Sequence, residues 1–222
     1  MTDLAEYRAG AVDLLGVLAY GALTAFARLA DDAELAPTLP DRVQVSALAA
    51  TQFRHFEKVS ERLAELEADV MDAMAPFHQP FDSFHDHTAP KTWLEGLVKA
   101  YVGDGFAADF YREVAAFVDA DTRALVIEVL NDEGHDVFVV TRVRAAIEQN
   151  PDSAGRLALW GRRLVGEALS QAQRVAADRE ALTSLLTGTV DRPGMDLAAI
   201  SRMFSRLVEN HTQRMKNLGL QS

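Results

Sequence analysis

Apolar residues recur at helical spacing in six long segments of this chain, and no segment keeps the alternation of a strand. In the first segment, Leu15, Leu18, Phe26 and Leu29 fall on one face. Aspartate and proline residues interrupt the pattern between segments, where they stop and start helices. The sequence therefore predicts an all-α fold. The predicted helices cover residues 3–33, 40–72, 91–118, 121–149, 152–187 and 195–217.

The link between the second and third predicted helices is long. Residues 75–92 contain three prolines and show no helical period. In a four-helix bundle, a long link at this point crosses the bundle. We interpret its histidines as solvated turn residues, with a surface metal site as the alternative. These histidines are His78, His85 and His87.

The absence of cysteine excludes disulfides, thiolate metal sites, iron–sulfur clusters and cysteine nucleophiles, and it suits a cytoplasmic protein. The apolar run over residues 12–29 is broken by Asp13 and Arg28, which favours a buried helix over a signal peptide or membrane span. A net charge of −11 disfavours non-specific binding to nucleic acid, because affinity for nucleic acid comes from neutralising phosphates.

Polar side chains on the apolar faces of three predicted helices mark a candidate site. Gln52 and His55 lie on the second helix, Asp104 on the third, and Asp132 and His135 on the fourth. Residues three apart on a helix share a face, at about 5–6 Å between Cβ atoms. Unpaired buried polar groups are costly, so we expect these side chains to meet each other or a ligand.

The spacing of these residues indicates two similar helix pairs. Ala22 precedes Gln52 by 30 residues, and Asp104 precedes Asp132 by 28. Di-iron carboxylate bundles place a glutamate on one helix of each pair and Glu-x-x-His on the other. Here Ala22 and Gln52 carry no carboxylate, so a single divalent metal suits the site better than a bridged pair. The candidate ligands are His55, Asp104, Asp132 and His135.

Three states of this site stay open: a metal-free core with mutual hydrogen bonds, a mononuclear or asymmetric metal site, and a complete dimetal centre. Gln52 is a weaker candidate ligand. Asp109 could replace Asp104 if the helical register differs. Glu167 could fill the gap at Ala22, although an i, i+4 ion pair with Arg163 is the simpler expectation.

Five stretches carry a family resemblance. They are Leu-Leu-Gly-Val-Leu-Ala-Tyr (14–20), Phe-Arg-His-Phe-Glu (53–57), Trp-Leu-Glu-Gly-Leu-Val-Lys-Ala-Tyr-Val-Gly-Asp-Gly (93–105), Asp-Phe-Tyr-Arg-Glu (109–113) and Leu-Trp-Gly-Arg-Arg-Leu-Val-Gly-Glu-Ala-Leu (159–169). On these residues the chain resembles the ferritin-like superfamily over roughly residues 10–187. More closely, it resembles the actinobacterial ferritin-like proteins grouped with the tRNA 2-methylthio-N6-isopentenyl-adenosine hydroxylase.

The resemblance implies a ferritin-like four-helix bundle with a crossover between helices two and three, plus two additional C-terminal helices. It also implies a non-haem iron enzyme that uses dioxygen to hydroxylate an adenosine in tRNA. By position, His55 and His135 match the histidine ligands, and Asp104 and Asp132 match carboxylate ligands. Iron, mononuclear or as an asymmetric di-iron centre, is the implied cofactor, although the acidic charge disfavours tRNA. The alternative is a metal-free bundle that acts as a binding or assembly protein.

The chain divides into two predicted units. Residues 1–190 form the bundle with a fifth helix, and residues 191–222 form an amphipathic C-terminal helix that packs on the bundle or on a partner. We expect a homodimer that does not enter a membrane.

Overall fold

The computed structural model describes the backbone of residues 2–131, 133–188 and 193–221, and their side chains except those of residues 2, 3 and 133–135. Across these ranges the regular structure is helical, apart from one isolated bridge between Gly188 and Pro193. The prediction of an all-α fold is confirmed. In chain order the helices are α1 (Thr2–Glu34), α2 (Leu39–Glu65), α3 (Val70–Met74), α4 (His78–His87), α5 (Trp93–Val98), α6 (Gly105–Ala115), α7 (Ala120–Val129), α8 (Glu133–Gln149), α9 (Ser153–Asp178), α10 (Glu180–Thr187) and α11 (Leu197–Asn217).

The bundle consists of four helical segments. The first two are α1 and α2, the third comprises α5 and α6, and the fourth comprises α7 and α8. α1 lies against α2, α2 contacts α7, and α5 contacts α8. Outside the bundle, α9 packs on α4 and α5, α10 packs on α1, and α11 packs on α6. Among the described residues, the buried apolar side chains form two hydrophobic clusters. One includes Leu14, Leu63 and Phe77, and the other includes Val45 and Leu207.

The link between α2 and α5 differs from its prediction. It is long, as expected, but it contains α3, a 3₁₀ turn over Ala75–Phe77, and α4. Pro76 lies in the first turn of the 3₁₀ segment and Pro80 in the first turn of α4, where backbone N–H groups need no intrahelical acceptor. Prolines at these positions are compatible with helix, which is why the prediction of an aperiodic link was wrong.

The fourth predicted helix, residues 121–149, is interrupted. α7 ends at Val129 and α8 begins at Glu133. Asp119 caps the start of α7, because its Oδ1 accepts a hydrogen bond from the Thr122 N–H at 2.9 Å. The prediction of one continuous helix over residues 121–149 was wrong, because Leu130 and Asn131 lie between α7 and α8 and belong to neither helix.

Helix α1 combines a long apolar run with close packing. By length and composition Leu4–Glu34 could cross a membrane, but 56% of its apolar window is buried inside the structure, as in a core helix. Gly16 allows α3 to approach closely, since a Cβ there would lie 2.2 Å from the Ala73 carbonyl oxygen.

Candidate functional site: a cavity inside the bundle

A cavity of about 570 Å³ lies between the helices. Its volume falls in the range of about 300–1,000 Å³ that is usual for small-molecule sites. Its wall is mostly apolar and includes residues of α1, α2, α4, α6, α9, α10 and α11. Along α1 the lining extends from Val17 to Asp32, which corresponds to about 22 Å of helix. The cavity is therefore elongated along the bundle.

Several of the sequence-predicted site residues lie on this cavity. Ala22 on α1, Gln52 and His55 on α2, and Asp104 all line it. The side chains of Asp132 and His135 lie outside the described residues. The structure thus brings the described half of the predicted constellation to one cavity, and the role of these residues as metal ligands stays a prediction.

The described residues do not fit a bridged dimetal centre. Ala22 offers no ligand atom, and Gln52 offers a neutral amide where a carboxylate is needed to bridge and balance two cations. Within the described ranges, no group of three or more His, Asp or Glu side chains could hold a metal ion. The polar wall instead contains its own cation, the buried ammonium of Lys99.

The two weaker acidic candidates have other partners. Asp109 is 8% exposed and pairs with Arg112 at 3.2 Å and with Arg214, and its role as a replacement for Asp104 stays a prediction. Gly105 permits this pairing, since a Cβ there would lie 2.4 Å from Arg214 Nε.

Glu167 on α9 is partly buried and is not among the residues that line the cavity at Ala22. Its Oε1 is 2.8 Å from His87 Nδ1 and accepts a hydrogen bond from Gln171 Nε2 at 2.7 Å. Arg163 donates to the His87 carbonyl oxygen at 2.6 Å. The expected Arg163–Glu167 pair is therefore replaced by contacts of both residues with His87, because α4 packs on α9.

A π-helical segment over Lys99–Asp104 joins α5 to α6 and shapes the polar end of the cavity. In a π-helix the hydrogen bonds join residues five apart, so Lys99 and Asp104 come close to the same face. Both line the cavity. A search with the 3.6-residue period of an α-helix assigns only Asp104 to the inner face, which is why it missed Lys99.

Lys99 is 8% exposed and donates a hydrogen bond from Nζ to the Thr88 carbonyl oxygen at 2.9 Å. Its Nζ also lies 5.3 Å from the centre of the Phe84 ring. His85, the next residue on α4, faces the same cavity, and neither of its ring nitrogens has a hydrogen-bond partner among the described residues. The interpretation of His85 as a solvated turn residue was wrong because this part of the link is helical.

Burial controls the charges at this end. It lowers the pKa of Lys99 to about 8, an effect that Asp104 opposes. It raises the pKa of Asp104 to about 7 and that of Asp32 to about 6, and the positive charge of Lys99 opposes both increases. Asp104 keeps exposed surface on the cavity wall, and the protein atoms around it nevertheless make desolvation the largest cause of its raised pKa. An amine and two carboxyl groups therefore titrate near neutral pH.

His85 stays neutral in this environment. Burial, followed by the charges of Lys99 and Arg28, lowers its pKa to about 3. A neutral imidazole has one donor and one acceptor nitrogen for a ligand. The arrangement as a whole can bind an apolar molecule with a polar end group and can exchange protons with it.

Sequence reasoning had one available signal for this end of the site. Phe81, Phe84 and His85 are spaced i, i+3 and i+4, which is the spacing of a helical face. The prolines of residues 75–92 led us to predict a link without helices, so this helical spacing was not used. Nothing in a single sequence separates the π-helical register of Lys99 from an α-helical one.

Comparison with known proteins supports the fold. A family model that describes ferritin-like domains of actinomycetes matches residues 5–189. A solved structure from Synechococcus, described as protein 19 with aldehyde deformylating oxidase activity, is similar with a TM-score of 0.68 over 98% of this chain and 93% of its own. The two sequences are 21% identical, so this likeness shows a shared fold. No curated protein matches the sequence.

Proposed function

The chain belongs to the family of ferritin-like domains of actinomycetes, and on this premise we propose that it binds an elongated, largely apolar small molecule inside its bundle. The observation that carries this proposal is the cavity of about 570 Å³ that extends along α1 from Val17 to Asp32. Apolar walls with a few polar groups at one end are the usual build of a small-molecule site.

This proposal does not require a dimetal centre. Ala22 and Gln52 remove ligands that such a centre needs, and Ala22 adds space to the cavity wall. The same substitutions that weaken a metal site therefore favour a binding site for an organic molecule.

Titration calorimetry with decanol tests the binding. We expect one binding event per chain and loss of binding in Ala22→Phe, since the ring would occupy the cavity. Ala50→Phe is the matched control, because Ala50 is exposed on α2 and lies outside the cavity. Absence of binding to the native protein, or equal binding by the two variants, contradicts the proposal.

A second candidate function is a dioxygen-dependent oxygenase with a single iron, related to the tRNA hydroxylases that the sequence resembles. It is favoured by the position of His55 and Asp104 on one cavity. These two residues, with Asp132 and His135, would hold the ion, and iron would supply redox chemistry with dioxygen. The protein would exclude bulk water by enclosing the substrate. A net charge of −11 favours a small molecule over tRNA as its substrate.

Elemental analysis after anaerobic reconstitution with ferrous iron separates the candidates. A single-iron oxygenase predicts about one iron per chain and its loss in His55→Ala. His78→Ala is the control, because His78 is an exposed histidine on α4. Iron content that is negligible, or equal in the two variants, removes this candidate and leaves the binding function.

A further inference from the structure

The chain has four lysines, and their environments divide them sharply. Lys58, Lys91 and Lys216 are exposed at the surface. Lys99 is 8% exposed and lies on the cavity wall. A lysine at the polar end of an apolar cavity is placed to meet the end group of any molecule that fills the cavity.

The position of the Lys99 amine is fixed by its neighbours. Its Nζ donates to the Thr88 carbonyl oxygen, which follows α4, and lies near the Phe84 ring. A deprotonated amine retains an N–H for Thr88 and gains a lone pair for a second partner. The π-helical turn sets Asp104 on the same wall, and Asp32 and the neutral His85 also line it.

Asp32 is fitted closely to α5. A Cβ on Gly96 would lie 2.9 Å from both carboxylate oxygens of Asp32, so glycine lets this carboxyl lie close to the α5 backbone in its present position. Asp32 and Lys99 line the same cavity, and the positive charge of Lys99 opposes the rise in the pKa of Asp32. The amine thus has an acid–base neighbour within the cavity.

We propose that Lys99 forms an imine with an aldehyde or ketone whose apolar chain occupies the cavity. This inference rests on the proposed binding function and adds a chemical class of ligand to it. Desolvation is a recognised way to prepare a lysine for attack on a carbonyl group. The lowered pKa of Lys99 agrees with this role.

The step is balanced without an oxidant or reductant. The Lys99 nitrogen attacks the carbonyl carbon, a C–N bond forms as the π bond of the carbonyl breaks, and one proton moves from the nitrogen to the oxygen to give the hydroxyl of a carbinolamine. Asp32 donates a proton to that hydroxyl, which leaves as water while the C=N bond forms. The remaining nitrogen proton returns to Asp32. The products are the imine and one water molecule, and the carboxyl ends in its starting state.

Reductive trapping tests the imine. Native protein is incubated with decanal and sodium cyanoborohydride near neutral pH, which converts an imine into a stable secondary amine, and peptides are mapped by mass spectrometry. We expect Lys99 to acquire the decyl group at least about tenfold faster than the surface lysines, because its amine is desolvated and lies on the cavity that the decyl chain would fill. Decanol should slow labelling of Lys99 alone, because it competes for the cavity.

Variants complete the test. Lys99→Met should abolish the fast labelling, and Lys91→Met, the same change at the surface, should preserve it. The competition by decanol needs no variant, so it remains decisive if Lys99→Met does not fold. Similar labelling of all four lysines overturns the inference. Absence of labelling at Lys99 also overturns it, because Lys99 would then serve only as a structural cation.

The outcome is separable from that of the proposed function. If decanol binds in the calorimetric titration and Lys99 is not labelled, the imine is wrong and the binding function stands. If neither decanol nor decanal binds, both proposals fail.

Discussion

At the residue scale, Asp32 provides a test of how burial sets charge in the cavity. Its pKa is raised to about 6 by burial, from an ordinary value of 3.8. Because the folded-state pKa lies above the unfolded one, the stabilising contribution is complete below about pH 4 and is lost as the pH rises through about 6. The charged carboxylate therefore destabilises the folded protein at higher pH.

Asp32→Asn should raise the melting temperature near pH 8 and change it little near pH 4, since the amide resembles the neutral acid in size and hydrogen bonding. Circular dichroism melts at the two pH values measure this. Asp86→Asn is the matched control, because Asp86 is exposed on α4. Equal shifts for Asp32→Asn at both pH values would show that Asp32 is not desolvated.

Some residues that line the cavity could be predicted from the sequence, and others could not. Gln52, His55 and Asp104 could be recognised from sequence, because a polar side chain on an apolar helical face is a costly exception that needs a reason. Lys99 could not, because its place on the cavity wall depends on a π-helical turn. His85 could not either, because prolines in the first turn of a helix look the same in sequence as prolines in a loop.

At the element scale, the approach of α3 to α1 depends on Gly16. Gly16→Ala would bring a Cβ to 2.2 Å from the Ala73 carbonyl oxygen, a backbone atom that cannot rotate away. We expect a loss of about 1–3 kcal/mol in the free energy of unfolding. Denaturant titration measures it.

Gly166→Ala is the control for this prediction. Gly166 lies in the interior of α9, and a Cβ there would meet no atom within 4 Å. The substitution should therefore stabilise the protein by about 0.5–1 kcal/mol, because alanine loses less backbone entropy in a helix. A Gly16→Ala variant that is as stable as Gly166→Ala would contradict the close packing of α1 and α3.

The helices themselves were largely predictable because amphipathic periodicity dominates this sequence. The bounds of α1 and α11 and the start of α2 lie close to those expected, but α2 ends at Glu65, seven residues before its predicted end. The break between α7 and α8 was not predictable, since apolar residues continue at helical spacing on both sides of it. α7 ends before Leu130, whose φ of −92° and ψ of 0° depart from the α-helical values, and the next N–H, that of Asn131, bonds to the Glu128 carbonyl oxygen three residues back at 3.2 Å.

At the scale of the whole molecule, the homodimer and the division of the chain at residue 190 stay predictions. The inner face of α11 buries Met203, Leu207 and Met215 in the same chain, while Phe204 and Val208 remain 42% and 53% exposed. We propose that this exposed face of α11 forms the contact between the two subunits of a dimer. We also propose that the protein is cytoplasmic.

Light scattering tests the dimer. Val208→Glu should convert a dimer into a monomer without unfolding it, because the charge would be buried in the contact and not in the core. Val137→Glu is the control, since Val137 is equally apolar and is 70% exposed on α8. A monomeric native protein, or a Val208→Glu variant that stays dimeric, would contradict the assignment of this face.

We propose that this bundle binds an organic ligand in its cavity and does not hold a dimetal centre there. Anomalous scattering from crystals grown with ferrous iron and ten-carbon bromodecanol tests it most directly. We expect a bromine peak inside the cavity lined by Ala22, Gln52 and Lys99, and no pair of iron peaks there. Two iron peaks about 4 Å apart between His55 and Asp104, with no bromine in the cavity, would contradict it.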